Sequence, residues 1–379
     1  MPPRLRSVVP AITFVLVVAA AYGILRFKRS ELVDFVVPRT AAVRFLAHEP
    51  LYRPEDGHYQ YKYLPAFAAA MVPFTWVSTE VAQATWFTLT WAMAVAFVRL
   101  SLYALPDRRL SSRVLMWLTA LLCGKFLFKE LAFGQFNLPV GLLMVGAVIA
   151  AQQGRRLTSG VAVAAGVFVK PYALVWVPWL VRTIGWRALA SFTLVMAAGL
   201  ALPVVSYGWE GNLTLLHEWY RTVTETTRPN LLVADNVSFA SMWAKWIGPG
   251  PQATNLALGS AVTAMAAGAL VMLRRRLVAE PNFLEASYFG VLITLLSPQG
   301  WDYTLVLGLP GFMLLVDRWR DLSMAWRAIA LAGFFLTSFT IFDLLGRTIY
   351  IRLVELSAVS VGAVLIAACL VRIRWKGLA

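Results

Sequence analysis

The sequence predicts an all-α fold, a polytopic bundle of transmembrane helices, and three observations predict it. Of its 379 residues 59% are hydrophobic, and mean hydropathy is +0.68. Only 14% are charged, where a soluble domain carries about a quarter. Apolar stretches of roughly 15–22 residues recur from end to end, long enough or nearly so to cross a hydrocarbon core of about 30 Å. Helices satisfy their own backbone polar groups in lipid, so such stretches read as helical spans. No stretch is long and polar enough for a separate soluble domain, so residues 1–379 form one integral-membrane unit.

The expected spans, about twelve, are 8–25, 81–104, 113–133, 136–151, 158–169, 172–184, 187–206, 252–273, 281–297, 303–317, 326–345 and 352–371. The first follows Met1-Pro2-Pro3-Arg4-Leu5-Arg6 and resembles a signal peptide, with small residues at Ala19 to Ala21 for cleavage. Its apolar run is long for a signal, which favours an uncleaved span. The net charge of +15 resides in short runs between spans: Arg108-Arg109, Arg155-Arg156, Arg274 to Arg276, Arg318 with Arg320, and Arg372, Arg374 and Lys376. With the N-terminus inside, all of them fall on the cytoplasmic side, which is the positive-inside pattern. This distribution argues against nucleic acid as a partner and for anionic lipid. Cys123 and Cys369 lie in spans without metal-type spacing and read as core thiols. The pair 158–169 and 172–184 is short and reads as a shallow hairpin with Lys170-Pro171 at its tip.

Two large loops, about 26–80 and 207–251, then lie outside in this plasma-membrane topology. They carry all three histidines, His48, His58 and His217, and most of the acidic residues. The first contains a short amphipathic helix from Ala41 to Ala47 and an interfacial apolar stretch from Ala66 to Trp76. Polar chemistry is therefore concentrated on one face.

Asp34, just after the first span, is the candidate general base, since a partly desolvated carboxylate at headgroup level meets the demands of that role. It also reads as a solvated partner of Lys28, Arg29 and Arg39. Lys125 and Lys129 share a helix face inside a span, where charge is costly and usually meets a cavity or a partner. They are candidates for binding phosphate, or snorkel with Glu130 as partner. Lys170, next to a proline and far from the basic runs, is a further phosphate candidate. His58, Tyr61, Lys62 and Tyr63 form a cation-and-aromatic cluster, though an aromatic belt gives the same pattern. In the second loop Arg221, Arg228 and Asp235-Asn236-Val237-Ser238 suggest polar contacts, or read as an ordinary solvated loop. Asp302, beside Trp301, is either a helix cap or a cavity residue.

These residues, in their order against the spans, resemble the GT-C membrane glycosyltransferases, and within them glycosyltransferase family 87. The resemblance rests on Asp34-Phe35, Glu49-Pro50-Leu51-Tyr52, Tyr61-Lys62-Tyr63-Leu64-Pro65, Phe133-Gly134-Gln135-Phe136-Asn137, Lys170-Pro171-Tyr172, Asn236-Val237-Ser238-Phe239, and Ser297-Pro298 with Trp301. There are departures. Leu64 and Val237 stand where Pro and Gln are expected, and Asp302-Tyr303 stand where members often carry histidines.

The resemblance implies a polyprenyl-phosphate sugar donor (mannose first), a glycolipid or glycan acceptor, and Asp34 as base in an inverting transfer on the extracytoplasmic side of a bacterial plasma membrane. Lys62, Lys125, Lys129, Lys170 and Arg228 are then expected around the donor phosphate. His58, Tyr61, Tyr63, Gln135, Asn137, Asn236, Trp301 and Asp302 are expected to contact substrate. No cofactor or metal is expected, because lysines can neutralise the leaving phosphate. The alternative is a polytopic transporter or lipid flippase. Such proteins often show internal repeats and midplane charges, and this chain shows no obvious repeat.

Overall fold

The computed structural model describes Gly23, residues 32–273 and residues 281–376. The expected first span 8–25, apart from Gly23, and the run Arg274 to Arg276 lie outside the described residues. Among the described residues the architecture is helical throughout, with one isolated bridge between Asn236 and Trp301. The helices are α1 (Val33–Leu46), α2 (Pro65–Ala70), α3 (Thr79–Ala104), α4 (Ser112–Phe133), α5 (Asn137–Gln152), α6 (Arg156–Val169), α7 (Trp186–Ala201), α8 (Val204–Thr227), α9 (Phe239–Ile247), α10 (Pro251–Leu273), α11 (Asn282–Leu296), α12 (Leu309–Asp317), α13 (Met324–Ser338), α14 (Phe342–Glu355) and α15 (Ala358–Lys376).

Several expected spans take other forms. By length and composition α3, α10 and α15 are each able to cross a membrane; counting the bent pairs α7–α8 and α13–α14 as one span each gives five. Helices α5, α6 and α11 are apolar but only 14–16 residues long. The expected span 172–184 is a succession of short turns from Pro171 to Ile184, where Pro171 and Pro178 each remove a backbone donor. The expected span 187–206 stops at Ala201, and the chain turns by 92° into α8 at Leu202-Pro203. The expected span 326–345 stops at Ser338, and the chain turns by 103° at an extended Ile341.

The second expected loop, 207–251, is largely helical, as α8 and α9. Its sequence is amphipathic. Glu210, His217, Glu218, Arg221 and Glu225 give it the polarity of a loop, while Leu215 is buried. The amphipathic helix expected over 41–47 starts earlier, at Val33, and so brings Asp34 into its first turn. The stretch 66–76 forms α2 and a single tight turn, neither long enough to cross a membrane.

At the centre lies α11, in which every residue from Phe283 to Leu295 is buried. The returning segment Asp302–Asp317 is buried along its whole length too. A helix apolar on all sides belongs in a core, and α11 packs against α15, α12, α10 and α5. Helix pairs α6–α7 and α13–α15 flank it.

One end of the bundle is basic. There Arg318 donates to the carbonyls of Pro106 and Asp107 at 3.1 Å each, and Asp317 accepts from the amides of Arg109 and Leu110. Arg327 donates to the carbonyls of Trp319 and Arg320. At the same end Glu285 of α11 pairs with Arg374 of α15 at 3.1 Å, both fully buried, and accepts from Thr183. Removing one member of such a pair costs about 3–5 kcal/mol, whereas replacing both by apolar residues is often neutral. Glu285→Ala is therefore expected to lower thermal stability by about 3 kcal/mol in detergent, and Glu285→Met with Arg374→Met to recover most of it. Equal loss in the single and double variants would refute the assignment.

Candidate active site

The opposite end of the bundle collects the polar residues singled out in the sequence. Its geometry starts from the turn between α4 and α5. Gly134 adopts φ 70°, the left-handed conformation that ends a helix and suits glycine. A Cβ there would come within 3.0 Å of the Phe35 Cβ and 3.1 Å of the Leu32 Cβ. The Gly134 carbonyl accepts from the indole N–H of Trp86 at 3.0 Å. Phe136 then packs against Trp86, with ring centroids 4.3 Å apart, and Phe35 stacks on Trp86 at 5.6 Å. These rings fix α1 over the turn.

Asp34 thereby meets Gln135. The Gln135 amide donates from Nε2 to Asp34 Oδ2 at 2.6 Å and to the Tyr303 hydroxyl at 2.9 Å. Its Oε1 accepts from Lys170 Nζ at 3.1 Å. A carboxylate accepts and an ammonium donates, so the amide has one permitted orientation between them. Lys170 also lies 5.4 Å from the centroid of the Tyr63 ring and 5.8 Å from that of Tyr172, within cation–π range. Burial raises the Asp34 carboxyl above the usual carboxylate range. Lys170, the Gln135 hydrogen bond, His58 and Lys62 hold it down against that trend. Burial lowers the Lys62 ammonium, and Asp34 opposes this. Lys62 is half-buried and His58 exposed.

Beneath this group lies a buried relay. Glu130 accepts from the amides of Asn137 at 3.1 Å and Leu138 at 3.3 Å, in the first turn of α5, where a helix presents free N–H groups. It also accepts from the Asn137 side chain, and Asn137 accepts in turn from the Tyr172 hydroxyl. Glu130, expected as a partner of Lys125 and Lys129, instead caps α5.

Lys125 and Lys129 are held by the segment that enters α12. Lys125 Nζ lies 2.8 Å from Asp302, and Lys129 Nζ 2.7 Å from Asp302 and 3.2 Å from Asp235. They shared a helix face in the sequence, but the sequence did not show which acid would meet them. Asp302 therefore bridges two lysines and caps no helix with its side chain. A backbone clasp holds its loop. The Val237 amide donates to the Gly300 carbonyl at 2.7 Å, and the Asp302 amide to the Asp235 carbonyl at 2.8 Å. The Asn236 side chain donates to the carbonyls of Asn230 and Pro298, both at 3.0 Å.

Other expected substrate contacts are committed within the protein. The Tyr61 hydroxyl is buried and donates to the Leu64 carbonyl at 2.9 Å. Asn137 and Asn236 are fully buried. Tyr63 stacks on Phe67 at 4.9 Å but stays half-buried, and half-buried Trp301 stacks on Tyr303 at 6.4 Å. Arg228 is exposed at the end of α8.

Sequence reasoning did not select Glu130, Tyr172, Tyr303 or Lys245 as site residues, and marked Asp235 only for polar contacts in its loop. Lys245 donates to the Asn236 carbonyl at 2.7 Å, and burial lowers it to about 8 against the opposing pull of Asp235 and Asp302. Tyr172 and Tyr303 directly follow Lys170-Pro171 and Trp301-Asp302, which was the available signal. Among the described residues no group of three or more His, Cys, Asp or Glu side chains is arranged to hold a metal ion.

The model of glycosyltransferase family 87 matches residues 61–298, more than half of the chain. The chain belongs to glycosyltransferase family 87. No curated protein and no solved structure matches it. The matched segment includes Lys62, Tyr63, Lys125, Lys129, Gln135, Lys170 and Asn236, while Asp34 precedes it and Trp301 and Asp302 follow it. The family 87 chain is accordingly a glycosyltransferase, which transfers a sugar from a donor to an acceptor.

The turn at Gly134 is open to test. Gly134→Ala is expected to cost about 1–2 kcal/mol for the left-handed backbone alone, with further loss from the contacts with Phe35 and Leu32. Thermal unfolding of the purified variant reads this, and an unchanged midpoint would refute it.

Proposed function

We propose that this family 87 enzyme moves a sugar, with mannose the first candidate, from a polyprenyl-phosphate carrier to a hydroxyl of a glycolipid or glycan on the extracytoplasmic side. Asp34 is the general base. The observation that carries the reading is one partly accessible carboxylate joined to Lys170 across the Gln135 amide, with Lys62 and His58 acting on it through space.

The acceptor oxygen attacks the anomeric carbon as the bond from that carbon to the phosphate oxygen breaks. The bonding pair leaves with the phosphate, and the hydroxyl proton passes to Asp34. A single displacement inverts the anomeric centre, as in inverting glycosidases. A phosphate leaves as a stable anion and needs no proton, so a single carboxylate suffices. Charge grows on that phosphate during the reaction, and cations already in position favour the transition state.

Lys170 and Lys62 are assigned to this task first, because both act on Asp34 and, among the described residues, neither forms a direct ion pair with a carboxylate. Lys125 and Lys129 already face Asp302, so their role is to hold the Trp301 loop beside the site. Arg228, at the rim, is assigned to the donor's approach. His58, Tyr63 and Trp301 are the groups with exposed surface for the sugar rings. Tyr61, Asn137 and Asn236 support the walls, and Gln135 positions Asp34.

Asp34→Asn is expected to reduce transfer by about 10²–10⁴-fold, the usual contribution of a general base, with unfolding behaviour unchanged. Near-normal turnover would remove the assignment. The decisive assay supplies purified protein in lipid with a panel of polyprenyl-phosphate sugars and follows which is consumed. Translocation of a lipid without glycosidic cleavage would favour a flippase.

The pH profile gives a separate test. Asp34 acts only when deprotonated, so the acidic limb of kcat/KM follows its pKa. Lys170 pulls that pKa down. Lys170→Met therefore moves the limb of the residual activity to higher pH, as well as weakening donor binding. A limb that stays in place would show that Lys170 does not act on the base.

A further inference from the structure

A groove of about 840 Å³ lies on the side of the bundle away from Asp34, between α10 and α15, and is floored by α11. Its volume falls within the roughly 300–1,000 Å³ of small-molecule sites. Small side chains open it: Gly259, Ala264 and Ala267 on α10 face Ala367 and Ala368 on α15. Helices with such faces can pack closely; α10 and α15 touch over part of their length and leave the groove open beside that contact. From Asn255 to Ala267 the groove follows α10 for about 18 Å, slightly more than half of a hydrocarbon core of about 30 Å.

The two ends differ in charge. Toward the site end the lining is Phe239, Met242, Trp243 and the neutral Asn255, and the Trp243 indole is already bonded to Ser260 at 2.9 Å. Toward the basic end the lining contains Arg372 between Trp326 and Trp375. The Arg372 guanidinium lies 5.7 Å from the Trp326 ring centroid, and among the described residues no carboxylate pairs with it. Trp residues beside a basic residue at the end of an apolar helix mark the level of lipid headgroups.

We propose that this groove is a binding site for an anionic glycerophospholipid of the leaflet at the basic end. Its phosphate lies at Arg372 and one acyl chain lies between α10 and α15. Charge complementarity selects this occupant. A lipid phosphate entering from the site end would meet no cation in the lining, whereas one entering from the basic end meets Arg372. The depth of the groove suits the acyl chain of one leaflet. The bound lipid joins α10 to the core and so steadies α9, which begins at Phe239, two residues after the clasp residue Val237. This inference is independent of the proposed reaction.

The test uses full-length protein released from detergent micelles in a mass spectrometer, after addition of phosphatidylglycerol, phosphatidylcholine or a polyprenyl phosphate. Wild type is expected to retain phosphatidylglycerol about fivefold over phosphatidylcholine, since one basic residue at a membrane surface contributes about 1 kcal/mol. Arg372→Gln removes the preference and Arg372→Lys keeps it. Ala368→Phe, which fills the groove, lowers retention of both phospholipids and the thermal stabilisation by phosphatidylglycerol, while retention of polyprenyl phosphate is unchanged. Equal retention of the two phospholipids by wild type would overturn the proposal, as would a preference that survives Arg372→Gln. So would Ala368→Phe abolishing retention of polyprenyl phosphate, which would assign the groove to that carrier.

Discussion

The tight turn from Gly134 to Asn137 is the constraint on which the rest of the site depends. Its left-handed glycine ends α4 and starts α5 within three residues. In that interval it presents a carbonyl to Trp86, an amide to Asp34 and Lys170, and an aromatic ring to Phe35. Helix α1 is held on another side by α2 and the turn after it, where Phe35 meets Phe74 with ring centroids 5.3 Å apart and Arg39 donates to the Phe74 and Val77 carbonyls. The hydrogen-bond partner of the carboxylate is supplied by a turn one hundred residues later in the chain.

The polar end of the bundle consists of two electrostatic groups with different outcomes. Around Asp302 two lysines and two acids neutralise each other in a largely buried setting, which stabilises a loop and leaves little charge for a ligand. Around Asp34 the cations are offset. Lys170 reaches the carboxylate only through Gln135, and Lys62 acts through space. Ammonium groups held at a distance from their counter-ion remain available to an incoming anion. That difference separates a structural cluster from one suited to chemistry.

Much of this was legible in the sequence. The helical class followed from apolar length, and the separation of basic and polar ends followed from the position of the arginine runs. Asp34, Gln135 and Lys170 were each marked by a short motif, and they meet. Span count was less legible. Hydropathy cannot register a right-angle turn at Pro203 or at Ile341, and it reads the amphipathic α8 as a loop. Ion-pair partners were also hidden. Lys129 and Glu130 are adjacent in the chain, but their side chains leave the helix about 100° apart. One therefore meets Asp302 and the other the start of α5. The buried Glu285–Arg374 pair joins positions 89 apart and has no local signal.

The clasp between residues 235–237 and 300–302 is made mainly by main-chain atoms. Such contacts are indifferent to side-chain identity. Val237 stands where the family resemblance leads one to expect glutamine, yet its amide still reaches the Gly300 carbonyl, and its side chain is 4% exposed in the apolar core. A change of side chain at this position therefore alters what packs inside the core without removing the main-chain bond that shapes the loop.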